Sequence, residues 1–447
     1  MQEFDIVIIG FGKAGKTLAL KSAAKGKKVA LIEKSKKMYG GTCINIGCIP
    51  TKKLVYQSHL SKMTPTYSYA QSIENKNKLI LALREKNYQN LIQQPNITIF
   101  DGKASFLDSK TICIEGEEKL QIKGEKIFIN TGSKSFIPDM PIKSKKVYTS
   151  TELLDLDVLP TKLLIIGGGY IGLEFASMYA NFGSKVSVLI RKNQLMPKED
   201  EDIAASVEAC LEKMGIEIIY EAVPISIEDE DEKVKISFDK EGRTNHILGD
   251  AVLFATGRKA YTEGLNLQKA GVAINNQGEI ITNEFLRTNI ENIYALGDVK
   301  GGPLFTYISL DDFRIVFDLI FGNGKRSVKN RPAVPEVIFL DTPLACVGLK
   351  EKEALAKGYE IKIAKLSAEA IPAARVLNNT QGMLKVIIDA KTDLILGASL
   401  HCQNSPEIIN IFSLAINAKQ SYVVLKDMIF THPSMSEAIN DLFGNIK

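Results

Sequence analysis

The feature that most constrains this chain is a strand, a glycine-rich turn and a helix that occur in the same order twice. Residues 4–33 read FDIVIIGFGKAGKTLALKSAAKGKKVALIE, with Gly10, Gly12 and Gly15 between an apolar strand and a helix, and Glu33 at the end of the next strand. Glycines at this spacing, in this context, are the fingerprint of a dinucleotide-binding β-α-β unit. The sequence therefore predicts an α/β fold that begins with a Rossmann-like domain.

Each residue of this first fingerprint has a predicted task. Gly10 makes the tight turn, Gly12 lets the backbone approach a pyrophosphate, and Gly15 allows close packing of the helix on the strand. The N-terminus of the helix faces the phosphates, because its free N–H groups and its dipole attract anions. Glu33 is predicted to accept hydrogen bonds from a ribose.

The second fingerprint lies in residues 162–192, KLLIIGGGYIGLEFASMYANFGSKVSVLIRK, where Gly167, Gly169 and Gly172 again open a helix after an apolar strand. Its second strand leads to Arg191 and Lys192 instead of a carboxylate. Two cations at this position suit a ribose 2′-phosphate, which favours NADPH, with NADH as the alternative. The competing interpretation is that both cations belong to a solvated turn.

Two cysteines lie close together in the segment GGTCINIGCIPTKKL, residues 40–54. Cys43 and Cys48 have four residues between them, and glycines precede each. Such a pair on a turn that enters a helix suits redox chemistry, because the helix N-terminus lowers the pKa of a thiol. The alternative is a surface thiol pair that never oxidises. Together with two dinucleotide folds, the pair predicts a relay in which hydride from a nicotinamide reaches the disulfide through a flavin.

Composition and charge exclude other classes of protein. The 447 residues are enough for about three domains. A net charge of +4, from 56 basic and 52 acidic residues, gives no indication of nucleic-acid binding. No apolar run reaches the roughly 18 residues of a membrane span, and no secretory leader precedes the first strand, so we expect a cytoplasmic protein. No metal site is predicted. Cys113, Cys210, Cys346 and Cys402 are interpreted as buried or half-buried packing residues.

The chain resembles the class I pyridine nucleotide–disulfide oxidoreductases from end to end. Besides the fingerprints and the cysteine pair, the similarity includes Thr131-Gly132, ATGR at 255–258, TNIENIYALGDV at 288–299 and THPSMSE at 431–437. The resemblance implies two Rossmann-like dinucleotide-binding domains and a C-terminal α+β dimerisation domain. The implied segments are an FAD-binding part (1–147), an NAD(P)-binding domain (148–262), a central segment that completes the FAD domain (263–330) and an interface domain (331–447).

The resemblance also implies the role of individual residues. Cys48 is similar to the cysteine that faces the flavin, and Cys43 to the one that meets the substrate. Lys52 and Glu174 match an ion pair beside the flavin, and Tyr170 matches a gate over the nicotinamide pocket. His432 with Glu437 resembles an acid–base pair that reaches across a homodimer. The further FAD-binding residues implied are Gly41, Thr42, Ala104, Thr131, Gly132 and Asp298, and Gly257 is implied for NADPH.

The substrate is predicted from departures within the family, because a fold does not define a substrate. No cysteine follows Cys402, which disfavours mercuric reductases and large thioredoxin reductases. The terminal segments IGFGKAGKTLA and IFTHPSMSEAINDLF resemble the flavin reductases for reactive chlorine species, and among them the bacterial hypothiocyanous acid reductases. A small-molecule oxidant, hypothiocyanous acid, is therefore the predicted substrate. The alternatives are a low-molecular-weight disulfide, as in glutathione reductase or dihydrolipoamide dehydrogenase, a metal ion such as Cu(II), and a non-enzymatic flavoprotein scaffold.

Overall fold

The computed structural model describes residues 1–64 and 67–446 of the chain. Its elements form two α/β units, each built on a mainly parallel sheet. An antiparallel sheet covered by helices follows. The mixed α/β architecture with two Rossmann-like sheets and a C-terminal α+β domain confirms the predicted fold class. The boundaries of the four segments stay predictions.

The first segment supplies most of a seven-stranded sheet. The strands of this segment are β1 (Gln2–Ile9), β2 (Val29–Glu33), β3 (Ile97–Asp101), β4 (Lys103–Phe106), β5 (Thr111–Glu115), β6 (Lys119–Ile129), β7 (Ser133–Ser135), β8 (Ile142–Lys143) and β9 (Val147–Thr149). Of these, only β1 to β6 belong to this sheet. Its helices are α1 (Lys13–Ala23), α2 (Thr42–Asn45), α3 (Cys48–Met63) and α4 (Tyr69–Ile92), with a 3-10 turn at Lys36–Met38. The sheet order is β3-β2-β1-β6-β5-β4, and β1 is parallel to β2 and β6.

The second segment supplies four strands of a parallel five-stranded sheet, which β9 completes, and further strands that form smaller sheets. Its strands are β10 (Lys162–Ile166), β11 (Lys185–Leu189), β12 (Glu217–Ile219), β13 (Val223–Glu230), β14 (Lys233–Lys240), β15 (Arg243–Gly249), β16 (Ala251–Phe254) and β17 (Arg258–Ala260). Its helices are α5 (Ser150–Leu153), α6 (Tyr170–Phe182) and α7 (Glu201–Lys213). The order β12-β11-β10-β16-β9 is parallel throughout. The smaller sheets are β15-β14-β13-β8 and β17-β7.

The third segment returns to the first sheet. It contains 3-10 turns at Leu267–Ala270, Gly297–Lys300 and Val328–Asn330, strand β18 (Ile293–Ala295) and helix α8 (Thr306–Phe321). Strand β18 runs parallel to β6 and pairs with its last three residues. The chain is thereby brought back so that the N-terminus of α8 lies beside the start of α3.

The last segment folds as an antiparallel sheet with helices. Its strands are β19 (Glu336–Ile338), β20 (Leu344–Gly348), β21 (Ile361–Ser367), β22 (Met383–Asp389) and β23 (Ile395–His401), in the order β19-β20-β23-β22-β21. Its helices are α9 (Glu351–Ala356), α10 (Pro372–Val376), α11 (Ser405–Asn417), α12 (Tyr422–Lys426) and α13 (Ala438–Gly444), with a 3-10 turn at Ala368–Ala370.

A buried lysine joins the second and last segments. Lys385 on β22 has a side chain that is only 2% exposed. Its Nζ lies 2.9 Å from Asp200 and 3.0 Å from Asp202, at the start of α7, and 2.7 Å from Glu351 at the start of α9. Because a buried charge is costly without partners, this cluster strongly favours one orientation of α7 against the last sheet.

Candidate functional site

The first glycine turn packs against Asn130 at the end of β6. A Cβ atom on Gly10, whose φ is +104°, would lie 2.4 Å from the carbonyl oxygen of Asn130, and one on Gly12 would lie 2.5 Å from its Oδ1. A Cβ on Gly15 would lie 2.7 Å from the oxygen of Gly10. The backbone of the turn therefore tolerates no side chain, and the N-terminus of α1 is left open toward a large cavity.

Glu33 closes the other end of this turn. Its Oε2 accepts from the backbone N–H of Phe11 at 3.1 Å and its Oε1 from that of Ser35 at 3.2 Å. Burial raises the pKa of this carboxyl above its ordinary value. A carboxylate fixed beside the glycine turn fits the predicted contact with a ribose.

The cavity connects both glycine turns with the cysteines and has a volume of about 2280 Å³. All the other predicted FAD residues line it, namely Gly41, Thr42, Ala104, Thr131, Gly132 and Asp298. Asp298 accepts from the hydroxyl of Ser133 at 2.7 Å, and the guanidinium of Arg258 donates to the same hydroxyl at 2.8 Å. The glycine cradle, the fixed carboxylates and the volume of the cavity fit a dinucleotide such as FAD.

The cysteine loop begins two helices in succession. Cys43 lies in the short helix α2, and Cys48 is the first residue of the 16-residue helix α3. Both side chains are half-buried free thiols that line the cavity. Cys48 Sγ lies 3.3 Å from Oγ1 of Thr306, the first residue of α8.

The pKa values of the two thiols shift in opposite directions. The pKa of Cys48 falls to about 6, chiefly because the Cys43 thiol donates to it, and Thr306 and the charge of Lys52 lower it further against the cost of burial. The pKa of Cys43 is raised, because its proton is held by Cys48 and because it is buried. In the reduced pair Cys43 therefore holds its proton more tightly than Cys48 does.

An ion pair lies one helical turn from Cys48. The Lys52 ammonium is 2.8 Å and 2.7 Å from the two carboxylate oxygens of Glu174, on α6. Glu174 is buried and also accepts from the backbone N–H of Phe339 at 3.0 Å. Lys52 further lies over the Phe339 ring at 4.8 Å. The pair bridges the two dinucleotide-binding layers and brings a fixed cation next to the cysteines.

The second glycine turn is tightly packed at Gly167 and Gly172 but open at Gly169. Gly167 has a φ of +113°, and a Cβ there would lie 2.5 Å from the oxygen of Ala255, while one on Gly172 would lie 2.0 Å from the oxygen of Gly167. Gly169 has no atom within 4 Å of an added Cβ and lines the cavity, as does Gly257 with a φ of +117°. The N-terminus of α6 is therefore accessible to a phosphate group.

The other predicted NADPH residues lie at different depths. Tyr170 is the first residue of α6, lines the cavity, and donates its hydroxyl to Glu336 at 2.7 Å. Arg191 and Lys192 are exposed just beyond β11 and are not among the residues that line the cavity. An exposed pair at the end of the second strand is accessible to a 2′-phosphate, but the geometry also suits a solvated turn.

The histidine–carboxylate pair forms, but away from the cysteines of its own chain. His432 Nδ1 lies 2.7 Å from Glu437 Oε2, and the histidine side chain is 72% exposed. Neither residue lines the cavity, and no histidine is found among the described residues that do. Within one chain, as far as it is described, the deprotonation of Cys43 therefore lacks an imidazole base.

Sequence reasoning missed several residues that shape the site. Thr306 contacts Cys48, Glu336 binds Tyr170, and Asn130 supports the first turn. Lys16 donates to the oxygen of Gly40 at 3.1 Å, and burial lowers its pKa to about 8. Of these residues, only Lys16 lies in a segment that carries the resemblance to the family, the N-terminal IGFGKAGKTLA.

Two features are absent from the described part of the chain. No helix there is long and apolar enough to cross a membrane. No group of three or more histidine, cysteine, aspartate or glutamate residues there is arranged to hold a metal ion.

Comparisons with known proteins agree with this geometry. Residues 4–312 match the model of the pyridine nucleotide-disulphide oxidoreductases, and residues 334–443 match the dimerisation domain of the same proteins. The chain is 47% identical to the probable pyridine nucleotide-disulfide oxidoreductase RclA of Escherichia coli strain K12, over 100% of both chains.

Solved structures of similar proteins extend this comparison. The HOCl-induced flavoprotein disulfide reductase RclA from Escherichia coli superimposes with a TM-score of 0.95 at 47% identity, covering 99% of this chain and 100% of the other. Its Cu(II) complex matches with the same TM-score and identity and covers 99% of both chains. The similarity thus extends over the whole length of the chain.

Proposed function

The chain belongs to the pyridine nucleotide–disulfide oxidoreductases, which implies a flavin and a pyridine nucleotide as cofactors, and we propose that it uses NADPH and FAD to reduce hypothiocyanous acid to thiocyanate. The observation that carries this proposal is the asymmetry of the cysteine pair. The pKa of Cys48 is lowered by Cys43, Thr306 and Lys52, while that of Cys43 is raised. This arrangement suits a dithiol that receives electrons on one side and meets an oxidant on the other.

The chain's own residues divide into two binding sites and a redox centre. Bound FAD would accept hydride from the nicotinamide and pass an electron pair to the disulfide. Lys52, fixed by Glu174, supplies a cation where negative charge develops during this transfer. The FAD site would use Gly10, Gly12, Gly15, Glu33, Gly41, Thr42, Ala104, Thr131, Gly132 and Asp298. The NADPH site would use Gly167, Gly169, Tyr170, Gly172, Glu174, Arg191, Lys192 and Gly257.

The oxidant reacts with Cys43, and Cys48 then resolves the intermediate. The Cys43 thiolate attacks the electrophilic sulfur of hypothiocyanous acid, the S–O bond breaks, and the oxygen leaves as water after protonation. The Cys48 thiolate then attacks the Cys43 sulfur, expels thiocyanate and forms the disulfide. Two electrons have moved from the dithiol to the oxidant, and the next NADPH restores the dithiol.

A second copy of the chain would supply the proton transfer. His432, oriented by Glu437, is exposed and lies outside the cavity of its own chain, so in a homodimer it can approach the Cys43 of the partner. There it would take the proton from Cys43, whose raised pKa otherwise opposes attack, and return a proton to the leaving oxygen. The family's dimerisation domain at residues 334–443 supports this arrangement.

Oxidant defence in the cytoplasm is the proposed setting. The similar protein from Escherichia coli is a HOCl-induced flavoprotein disulfide reductase, which supports a reactive chlorine or sulfur oxidant as substrate. The Cu(II) complex of that protein favours a second candidate, reduction of Cu(II). Low-molecular-weight disulfides and a non-enzymatic scaffold are weaker alternatives.

A substrate panel tests the proposal. The holoenzyme is assayed for NADPH oxidation with hypothiocyanous acid, Cu(II), glutathione disulfide and lipoamide, and kcat/KM is compared. We expect the highest value with hypothiocyanous acid and its loss in Cys43→Ser. A higher value for another acceptor would replace the substrate, and no turnover with any acceptor would favour the scaffold.

A further inference from the structure

One contact at the entrance of the second dinucleotide site has no role in the proposed chemistry. The hydroxyl of Tyr170 donates to Glu336 Oε2 at 2.7 Å. Tyr170 begins α6, and Glu174 lies one turn later on the same face, so both side chains border the cavity. A nicotinamide whose phosphates bind at the N-terminus of α6 must pass Tyr170 to reach the Lys52–Glu174 pair.

The ring of Tyr170 is held from two directions. It stacks on Phe305, with ring centroids 6.5 Å apart and an angle of 28° between the planes. Phe305 stacks in turn on Tyr307 at 5.0 Å, and the Tyr307 hydroxyl donates to the oxygen of Pro335 at 2.6 Å. Both ends of this aromatic row are therefore tied to the same short segment at the start of β19.

The bond between Tyr170 and Glu336 persists at neutral pH. Burial and the hydrogen bond to Glu336 raise the pKa of Tyr170, so its hydroxyl remains a donor. Glu336 is half-buried. A hydrogen bond to a charged acceptor is stronger than one between neutral groups. The side chain of Glu336 lies opposite Cys346 in the β19–β20 register, so its position is defined by the sheet.

We propose that Glu336 is a positioning residue that latches Tyr170 across the path of the nicotinamide, and that the Tyr170–Glu336 bond must break before each hydride transfer. This inference rests on the coenzyme site of the proposed function. A latched fraction lowers the apparent affinity for NADPH, because only the unlatched fraction can bind. Removal of either partner should therefore accelerate flavin reduction without new contacts to the coenzyme.

The test measures flavin reduction alone. Holoenzyme is mixed anaerobically with NADPH, no oxidant is added, and the loss of flavin absorbance is followed at several NADPH concentrations. We expect Tyr170→Phe and Glu336→Leu each to raise the second-order rate constant roughly fivefold to tenfold. The double variant should be no faster than either single variant, because both remove the same bond.

A charge control separates the latch from simple repulsion of the anionic coenzyme. Glu353 lines the same cavity and accepts from the backbone N–H of Lys350 at 3.1 Å. Repulsion predicts acceleration in Glu353→Gln and Glu336→Leu but none in Tyr170→Phe, which keeps the charge. The latch predicts acceleration in Tyr170→Phe and none in Glu353→Gln, and the opposite pattern overturns it.

Further outcomes are also decisive. Glu336→Gln keeps the shape and an acceptor but loses the charge, so it should accelerate by a smaller factor and provides a variant if Glu336→Leu does not fold. Wild-type enzyme that is reduced by neither NADPH nor NADH would refute the proposed function. Reduction at the same rate in wild type, Tyr170→Phe and Glu336→Gln would refute the latch alone.

Discussion

The hydroxyl of Thr306 should set part of the charge on Cys48. Its Oγ1 lies 3.3 Å from the sulfur, and the pKa of Cys48 is about 6. Replacement of Thr306 by valine removes one hydrogen bond to a charged acceptor at nearly constant volume, at a cost of about 1.4 kcal/mol. That cost corresponds to a rise of about one unit in the pKa of Cys48, so a smaller fraction of Cys48 would be thiolate at neutral pH.

The thiolate can be followed by spectroscopy. The holoenzyme is reduced anaerobically by two electrons, and the long-wavelength absorbance that a thiolate produces beside an oxidised flavin is titrated with pH. Because the charged form exists above the pKa and is lost below it, Thr306→Val should lose this absorbance at a higher pH than wild type.

Thr306→Ser is the matched control, since it keeps the hydroxyl and should titrate as wild type does. If Thr306→Val also titrates as wild type does, the hydroxyl does not stabilise the thiolate, and Cys43 and Lys52 account for the low pKa of Cys48.

Three further predictions concern the relay, the coenzyme and the dimer. Cys43→Ser should abolish turnover but keep the long-wavelength absorbance of Cys48, whereas Cys48→Ser should lose both; the reverse spectra would exchange the two roles. Arg191→Ala with Lys192→Ala should raise KM for NADPH about tenfold, for roughly 1.4 kcal/mol of lost phosphate contact, and KM for NADH much less; equal effects would contradict a phosphate site. Mixed dimers of inactive Cys43→Ser and inactive His432→Ala chains should regain activity, because one site combines the intact cysteine of one chain with the intact histidine of the other; no recovery would mean that the histidine acts within its own chain.

Local patterns in the sequence predicted the parts of the site that are local in the structure. The apolar strands, the glycine turns and the start of α3 at Cys48 depend on neighbouring residues, and the structure has them where the pattern indicates. Lys52 lies one turn after Cys48, so a cation beside the sulfur follows from helix geometry. The His432–Glu437 pair is likewise close in sequence.

Residues that meet only after folding were not predictable in this way. Thr306 reaches Cys48 only because β18 pairs with β6 and returns the chain to the first sheet. Glu336 reaches Tyr170 from the last segment. Neither residue type is distinctive alone, since threonines and glutamates occur throughout the chain, and periodicity carries no information on contacts between such distant segments. Resemblance to the family, rather than residue pattern, paired Lys52 with Glu174.

The buried ammonium of Lys385 has a consequence for how the molecule works over a catalytic cycle. Any hinge motion that separated α7 from the last sheet would part the Lys385 ammonium from Asp200 and Asp202 and leave it with Glu351 alone. We therefore expect the segment that contains α7 and the last segment to move as one unit. Solution scattering should accordingly give the same radius of gyration with and without nucleotide.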